Sequence, residues 1–345
     1  MNNDKANQVY KDLTQQIIDS INAGVDGKWE PPWTTSAADV WRPINTLTEK
    51  PYTAGNRFIL SMTSAMTGAS AYWGTYKQWA QHSTHTLVCL AARKVPHLDK
   101  CMTTYSAPTR AGCELNECEM VSVRAGETAA ATLLRPLFRK EMNETGLEVE
   151  RLFGWAAFKV FNSNQVSGWT PPDMPERTLD GEADEVFEWA ATIGAEVAQS
   201  PTCDTPALSP HQDTIEMPSI ERWGEVDKLW STMAHELCHW TGQPDRLDRH
   251  LNHAMVNSEP FDDKDRAFEE LIAELGSVFT LAELGRQTTF RDDHLIYLKS
   301  WLKLLEGDPK VMWQAASKAQ QASDYLLAAY ETGLEPRASI MEMVK

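Results

Sequence analysis

The sequence predicts an α+β protein of two domains, the first a mixed module and the second mainly helical with a small sheet. Three observations carry that prediction: the length, a change of charge near residue 170, and helical spacing around a His-Glu-x-x-His segment. At 345 residues the chain exceeds one ordinary domain and suits two of roughly 150 residues each. Residues 1–170 hold 17 Lys+Arg against 16 Asp+Glu. Residues 171–345 hold the remaining 15 of 32 against 33 of 49, so the total of −17 splits into +1 and −18. An acidic half repels nucleic acid at long range, whereas a near-neutral half can still carry a local basic groove. Hydrophobic residues at 42% and charged residues at 23% exclude a disordered or collagen-like chain. No apolar run reaches the roughly 18 residues of a membrane helix. The first residues lack the basic-then-apolar order of a signal peptide, which predicts a cytosolic protein with no membrane partner.

In chain order, Val9, Leu13, Ile17, Ile18 and Ile21 recur at helical spacing and predict a helix over 7–23, closed by Gly24. The proline-punctuated stretches Trp29 to Trp33 and Trp41 to Asn45 cannot extend it. A second helix is expected at 56–66, and Trp73 to Trp79 turns into a third. Short strands are expected at 86–91 and 120–123, and a longer one at 155–161. Three prolines between Trp169 and Pro175 mark the boundary, giving domains at 1–170 and 183–335 joined by a linker at 171–182. The second half reads as a helix at 182–198, a strand at 214–217, and helices at 225–240, 263–285, 292–306 and 309–332. Six cysteines are too few for a disulfide scaffold. Cys101, Cys113 and Cys118, with His97, lack the close pairing of structural zinc ligands and read as free thiols. Cys238 reads as a small core residue.

The chemical signal is His235-Glu236-Leu237-Cys238-His239. Residues four apart share a helix face, so both imidazoles reach one cation, with Zn2+ the expected ion. Glu236, one position on, is placed to act as general base, taking a proton from water as it attacks a carbonyl. A catalytic site needs a third protein ligand. Glu270, Glu274 and Asp245 compete for it: Asp245 by its spacing after His239, the two glutamates by sharing one face of the helix after 263. Glu270 is favoured as ligand, with Glu274 as a carboxylate that fixes a ligand histidine. Glu269 reads as solvated. The strand Thr214 to Met217 would offer an edge to an extended peptide, and Tyr297 or His294 a hydrogen bond to an oxyanion.

The segments HELCHWTG at 235–242, Arg246-Leu247, Ala267 to Gly276 and Tyr297 to Trp301 resemble the ArdC antirestriction family of plasmids and phages. Ala315 to Gln320 and Asp324 to Leu326 agree with it too. In the first half the resemblance runs through the Trp33 turn, Pro43 to Thr46, Pro51-Tyr52, Gly55-Asn56, Trp73 to Thr75 with Gln78, and Phe161-Asn162 with Gln165 to Gly168. His82 to His85 and the cysteine-bearing stretch after them depart from the family, which has a basic strand pair there. The resemblance implies a single-stranded-DNA-binding domain over 1–170, a zincin-like metallopeptidase of gluzincin type acting on an unidentified protein, and protection of incoming DNA from restriction. Trp33, Tyr52 and Trp73 would offer stacking faces, with Arg42, Arg57 and Lys77 on phosphates and Asn45 and Asn56 nearby. The rival reading is a non-catalytic inhibitor that binds or mimics DNA, with zinc purely structural.

Overall fold

The computed structural model describes residues 2–23, 38–82, 121–143, 147–172, 182–249, 263–286 and 298–332. Trp33, the 86–91 strand, His97, Cys101, Cys113, Cys118, His294, Tyr297 and most of the expected linker lie outside these residues. The chain divides into two compact units. Met1–Val9, Pro43–Tyr52 and Ile59–Met174 form the first, and Tyr10–Arg42, Thr53–Phe58 and Pro175–Lys345 form the second. The main break at 174/175 is close to the expected one. The second unit nevertheless takes in Tyr10–Arg42 and Thr53–Phe58, which sequence reasoning assigned to the first domain. Among the described residues no helix is long and apolar enough to cross a membrane.

The expected early helices are present: α1 (Asn2–Ala23) and α2 (Ala54–Thr67). In the first unit a four-stranded sheet runs in the order β1 (Ile44–Asn45), β2 (Tyr72–Gly74), β5 (Glu148–Asn162), β4 (Ala131–Met142). β1 and β2 are parallel and the other pairs antiparallel. The short strands β3 (Ser122–Val123) and β6 (Val166–Ser167) pair beside it. Ile44, Tyr72, Trp79, Val121 and Val166 form a buried cluster under this sheet. Asn162 ends β5 and knits the turn before β2. Its side chain donates to the carbonyls of Ser70 and Tyr72 and accepts from the Ser70 and Asn164 amides.

β4 is absent from the sequence reading, and β5 starts seven residues before the strand expected at 155. Pro136 and the apolar residues on either side of Arg135 between Leu133 and Phe138, without strict alternation, hide the pattern. Proline is accommodated because β4 lies at the sheet edge. A bulge interrupts the hairpin: Leu137 faces Gly154 while Phe138 faces Leu152, leaving Phe153 as the extra residue.

The second unit is built on α4 (Val226–Trp240), α5 (Asp263–Glu283) and α7 (Val311–Thr332), with α3 (Ala183–Thr192) and α6 (Leu298–Gly307) against them. Val186, Trp189, Ala190 and Ile193 put one face of α3 into the core with Leu229, Met233 and Leu237 of α4. Ala315, Ala319 and Ala322 are buried on α7, and Gly276 lets α5 approach: a Cβ there would stand 2.7 Å from Cys238 Sγ and 3.6 Å from the Ala319 carbonyl. Cys238 is the small buried residue expected, and burial pushes its thiol pKa up.

α3 ends well before the expected 198. Gly194 takes a left-handed φ of 82°, a conformation that stops helices, and β7 (Glu196–Ser200) follows. It joins a three-stranded sheet in the order β7, β9 (Thr214–Pro218), β8 (Ala207–Ser209). β9 is thus the central strand, paired in parallel with β7 and antiparallel with β8. The expectation that Thr214 to Met217 offers a free edge is corrected, because both its ladders are taken. The edges belong to β7 and β8.

Candidate metal centre

α4 carries the His-Glu-x-x-His segment, and the residues from Leu229 to Cys238 are all buried. Asp227 lies in its first turn, and Thr241 closes it by donating its amide to the Leu237 carbonyl. One helical turn apart, His235 and His239 bring their Nε2 atoms to 3.1 Å. Across from them on α5, Glu270 Oε2 lies 3.5 Å from His235 Nε2 and 3.7 Å from His239 Nε2. One donor atom from each of the three residues falls within 4.8 Å of the others.

The far side of each ring meets a second carboxylate. Glu274 Oε2 is 3.5 Å from His235 Nδ1, and His239 Nδ1 donates to Glu269 Oε1 at 3.3 Å. With its proton held on Nδ1, a neutral imidazole turns a lone pair outward from Nε2. Two such lone pairs and a carboxylate oxygen converging on one point repel one another unless a proton or a metal cation lies between them. Burial disfavours a charged His239, but Glu269 and Glu270 outweigh it and push its pKa up to about 10. Burial likewise raises the Glu270 carboxyl, yet the two imidazoles hold it well below the usual carboxylate range. Two imidazoles and a carboxylate form the donor set that suits zinc with one position left for substrate, so these residues fit the ion.

Glu269 corrects the sequence reading: it is buried. Arg249 grips it in a fork, Nε donating to Oε2 at 3.0 Å and Nη2 to Oε1 at 2.7 Å. Arg249 also donates to Thr241 Oγ1 at 2.9 Å and to the Cys238 carbonyl. Gly242 explains how this fits, since a Cβ there would stand 2.8 Å from Arg249 Nη2. The chain after α4 folds back through Asp248, whose φ is 44°, returning the Arg249 amide to the Gly242 carbonyl. The HWTG glycine was the available signal for this support; Arg249 itself had none in local spacing. Glu269→Gln keeps the shape and removes the charge. It is expected to weaken metal binding by roughly 10–100-fold, measured on the full chain by competition with a chromophoric chelator.

Glu236 is buried beside His235, at 4% exposure. Asp245 stands apart from the three donors: its side chain is half exposed and lies 3.6 Å from Arg246 Nη1. As an alternative ligand it is corrected. Arg246 is buried, stacks 3.8 Å over the Trp240 ring and pairs with Asp213. His294 and Tyr297, the expected oxyanion donors, lie outside the described residues.

The expected nucleic-acid residues fare differently. Trp73 is fully buried and Arg57 is 1% exposed, so neither presents a face to a ligand, and both are corrected. Arg42 donates to Glu283 at 2.7 Å. Asn45 shapes a turn, accepting from the Leu47 and Thr48 amides and donating to the Tyr52 hydroxyl. Asn56 is half-buried, and Lys77 is exposed.

Comparison with known proteins gives two family matches. Residues 7–161 match the N-terminal domain of anti-restriction factor ArdC, and residues 184–318 match a zincin-like metallopeptidase domain. The uncharacterized protein y4eC of Sinorhizobium fredii is 27% identical over 323 residues, covering 93% of this chain and 92% of that one. A DNA primase TraC of Escherichia coli is 28% identical over 319 residues, which is 92% of this chain but only 27% of the primase. Two crystal structures of the antirestriction ArdC protein from the R388 plasmid are similar throughout. The metal-free form has a TM-score of 0.66 at 27% identity, covering 94% of this chain and 98% of that one. The Mn(II)-bound form has a TM-score of 0.64 at 28% identity, covering 93% and 98%. With a match to the ArdC N-terminal domain followed by a match to a zincin-like metallopeptidase domain in a two-domain α+β fold, the chain is similar to ArdC antirestriction proteins over nearly its whole length.

Proposed function

We infer that the protein is a plasmid- or phage-borne antirestriction factor of the host cytosol, pairing a single-stranded-DNA-binding unit with a zinc-dependent peptidase. The observation that carries the peptidase half is the convergence of His235 Nε2, His239 Nε2 and Glu270 Oε2 within 4.8 Å, each ring backed by its own carboxylate. These three residues would hold the ion. When bound there, a divalent ion supplies Lewis acidity toward a peptide carbonyl and toward water. Glu236 takes the proton from the attacking water and passes it to the leaving amine. Glu269 and Glu274 keep both rings in the ligating tautomer, and Arg249 keeps Glu269 charged. Of the two edge strands, β8 contacts the motif helix α4 and would be the one for an extended peptide to pair with. The Mn(II)-bound structure of the plasmid relative supports a divalent ion, and the donor set favours zinc.

The DNA-binding half rests on the family of the N-terminal domain and on the resemblance of its sequence. Titration of the full chain with Zn2+ in a calorimeter tests the metal reading. One ion per chain is expected, with uptake lost in His239→Ala and weakened at least tenfold in Glu270→Ala. A chain that takes up no ion, or an Asp245→Ala variant that alone loses it, sinks the assignment.

A further inference from the structure

Trp73 and Arg57 are in the core and Arg42 is held by Glu283, so these three are not available to nucleic acid. The β4–β5 hairpin is open to it. β2 pairs with β5 only at Phe161 and Asn162, so beyond the bulge the described part of the hairpin continues as a two-stranded ribbon paired only with itself. Its side chains are open to solvent: Phe138 is 53% exposed, Phe153 52% and Met142 69%.

The register places Arg139 directly opposite Arg151. Residues facing each other in an antiparallel pair share a face, and like charges so placed destabilise the pair. Arg135, also exposed, points to the same face because side chains alternate along the strand. Glu141 is the counter-charge there, contacting both Arg139 and Arg151. Three arginines against one glutamate leave that face at +2. On the opposite face Lys140 is paired with Glu148 at 2.7 Å. The ribbon is therefore polarised, with an arginine row only partly offset by Glu141 on one face and the bare rings of Phe138 and Phe153 on the other.

We propose that the arginine face of this β-arm, carrying Arg135, Arg139 and Arg151, grips the phosphodiester backbone of single-stranded nucleic acid. The inference rests on the single-stranded-DNA reading above and locates it. Arg135 and Arg139 are about 13 Å apart along the strand, which suits phosphates two nucleotides apart rather than one phosphoryl group. Arginine forks bind phosphate oxygens in pairs, and a phosphate at Arg139 and Arg151 adds to Glu141 in offsetting their repulsion.

Fluorescence anisotropy of labelled oligo(dT) with the full chain, over a salt series, tests this. Arg135→Gln, Arg139→Gln and Arg151→Gln combined should weaken binding at least tenfold. It should also flatten the log–log salt slope by about 2, at ~0.7 per lost phosphate contact. The corresponding triple Lys variant should keep the slope, which separates lost charge from lost folding. Wild-type affinity and slope in the Gln variant overturn the arm while leaving DNA binding in place. A wild-type chain that binds no oligo(dT) removes both. Unchanged oligo(dT) binding with loss of self-association in sedimentation assigns the arm to a second copy instead, and overturns the proposal.

Discussion

Glu236→Gln is expected to slow peptide hydrolysis by about 10²–10⁴-fold while leaving zinc uptake and thermal stability at wild-type values. The asymmetry follows from what the residue touches. Glu236 is one position along α4 from His235 and is 4% exposed, so an isosteric amide fills its place without opening a cavity. The three donors His235, His239 and Glu270 are untouched, and so are the carboxylates behind the rings. Only the ability to accept a proton is removed. Cleavage of a quenched-fluorescence peptide library measures the loss, and protection of transferred DNA from restriction in a recipient measures its consequence. If protection survives intact while cleavage is gone, the protein works as a non-catalytic inhibitor and zinc serves the fold. If protection falls with cleavage, hydrolysis is the working step.

Arg57→Met should lower the unfolding free energy by about 3–5 kcal/mol, the cost of removing one partner from a buried charged network. Arg57 donates from Nε to the Trp41 carbonyl at 2.6 Å and from Nη2 to the Phe279 carbonyl at 3.0 Å. Nη1 reaches Gln320 at 3.3 Å, Nη2 lies 3.3 Å from Glu283, and the guanidinium sits 4.4 Å from the Phe279 ring centre. Methionine fills much of the volume but leaves two carbonyls and part of the Glu283 charge without their donor. Arg57→Lys restores the charge without the planar fork and should recover part of the loss. Chemical denaturation of the full chain gives the comparison; a Met variant within 1 kcal/mol of wild type, as an order of magnitude, would show the network to be dispensable.

The metal centre was legible because its spacing is local. His235 and His239 lie one turn apart, and Glu270 and Glu274 share a face for the same reason, so helical geometry alone assembles most of the pocket. Glu269 was not legible, because its burial depends on Arg249, which arrives through a folded-back turn that periodicity does not encode. The helices of the second unit were read to within a few residues where apolar spacing was strong. α3 was overextended because Gly194 was not weighed as a stop. β4 was missed because Pro136 and apolar residues that do not strictly alternate around Arg135 conceal an edge strand. Arg57 was misread for a general reason: a cation in an aromatic-rich stretch looks the same in sequence whether it meets phosphates or satisfies carbonyls.

The shared helices have a further consequence. The covalent thread passes between the two bodies at 9/10, 42/43, 52/53, 58/59 and 174/175, so no single cut yields both intact. A fragment beginning near residue 175 would lack the plug that Arg57 and Trp41 provide. The two bodies are therefore a poor target for separation, consistent with a match covering 92% of this chain within a primase more than three times as long, and grafting experiments should move the pair whole.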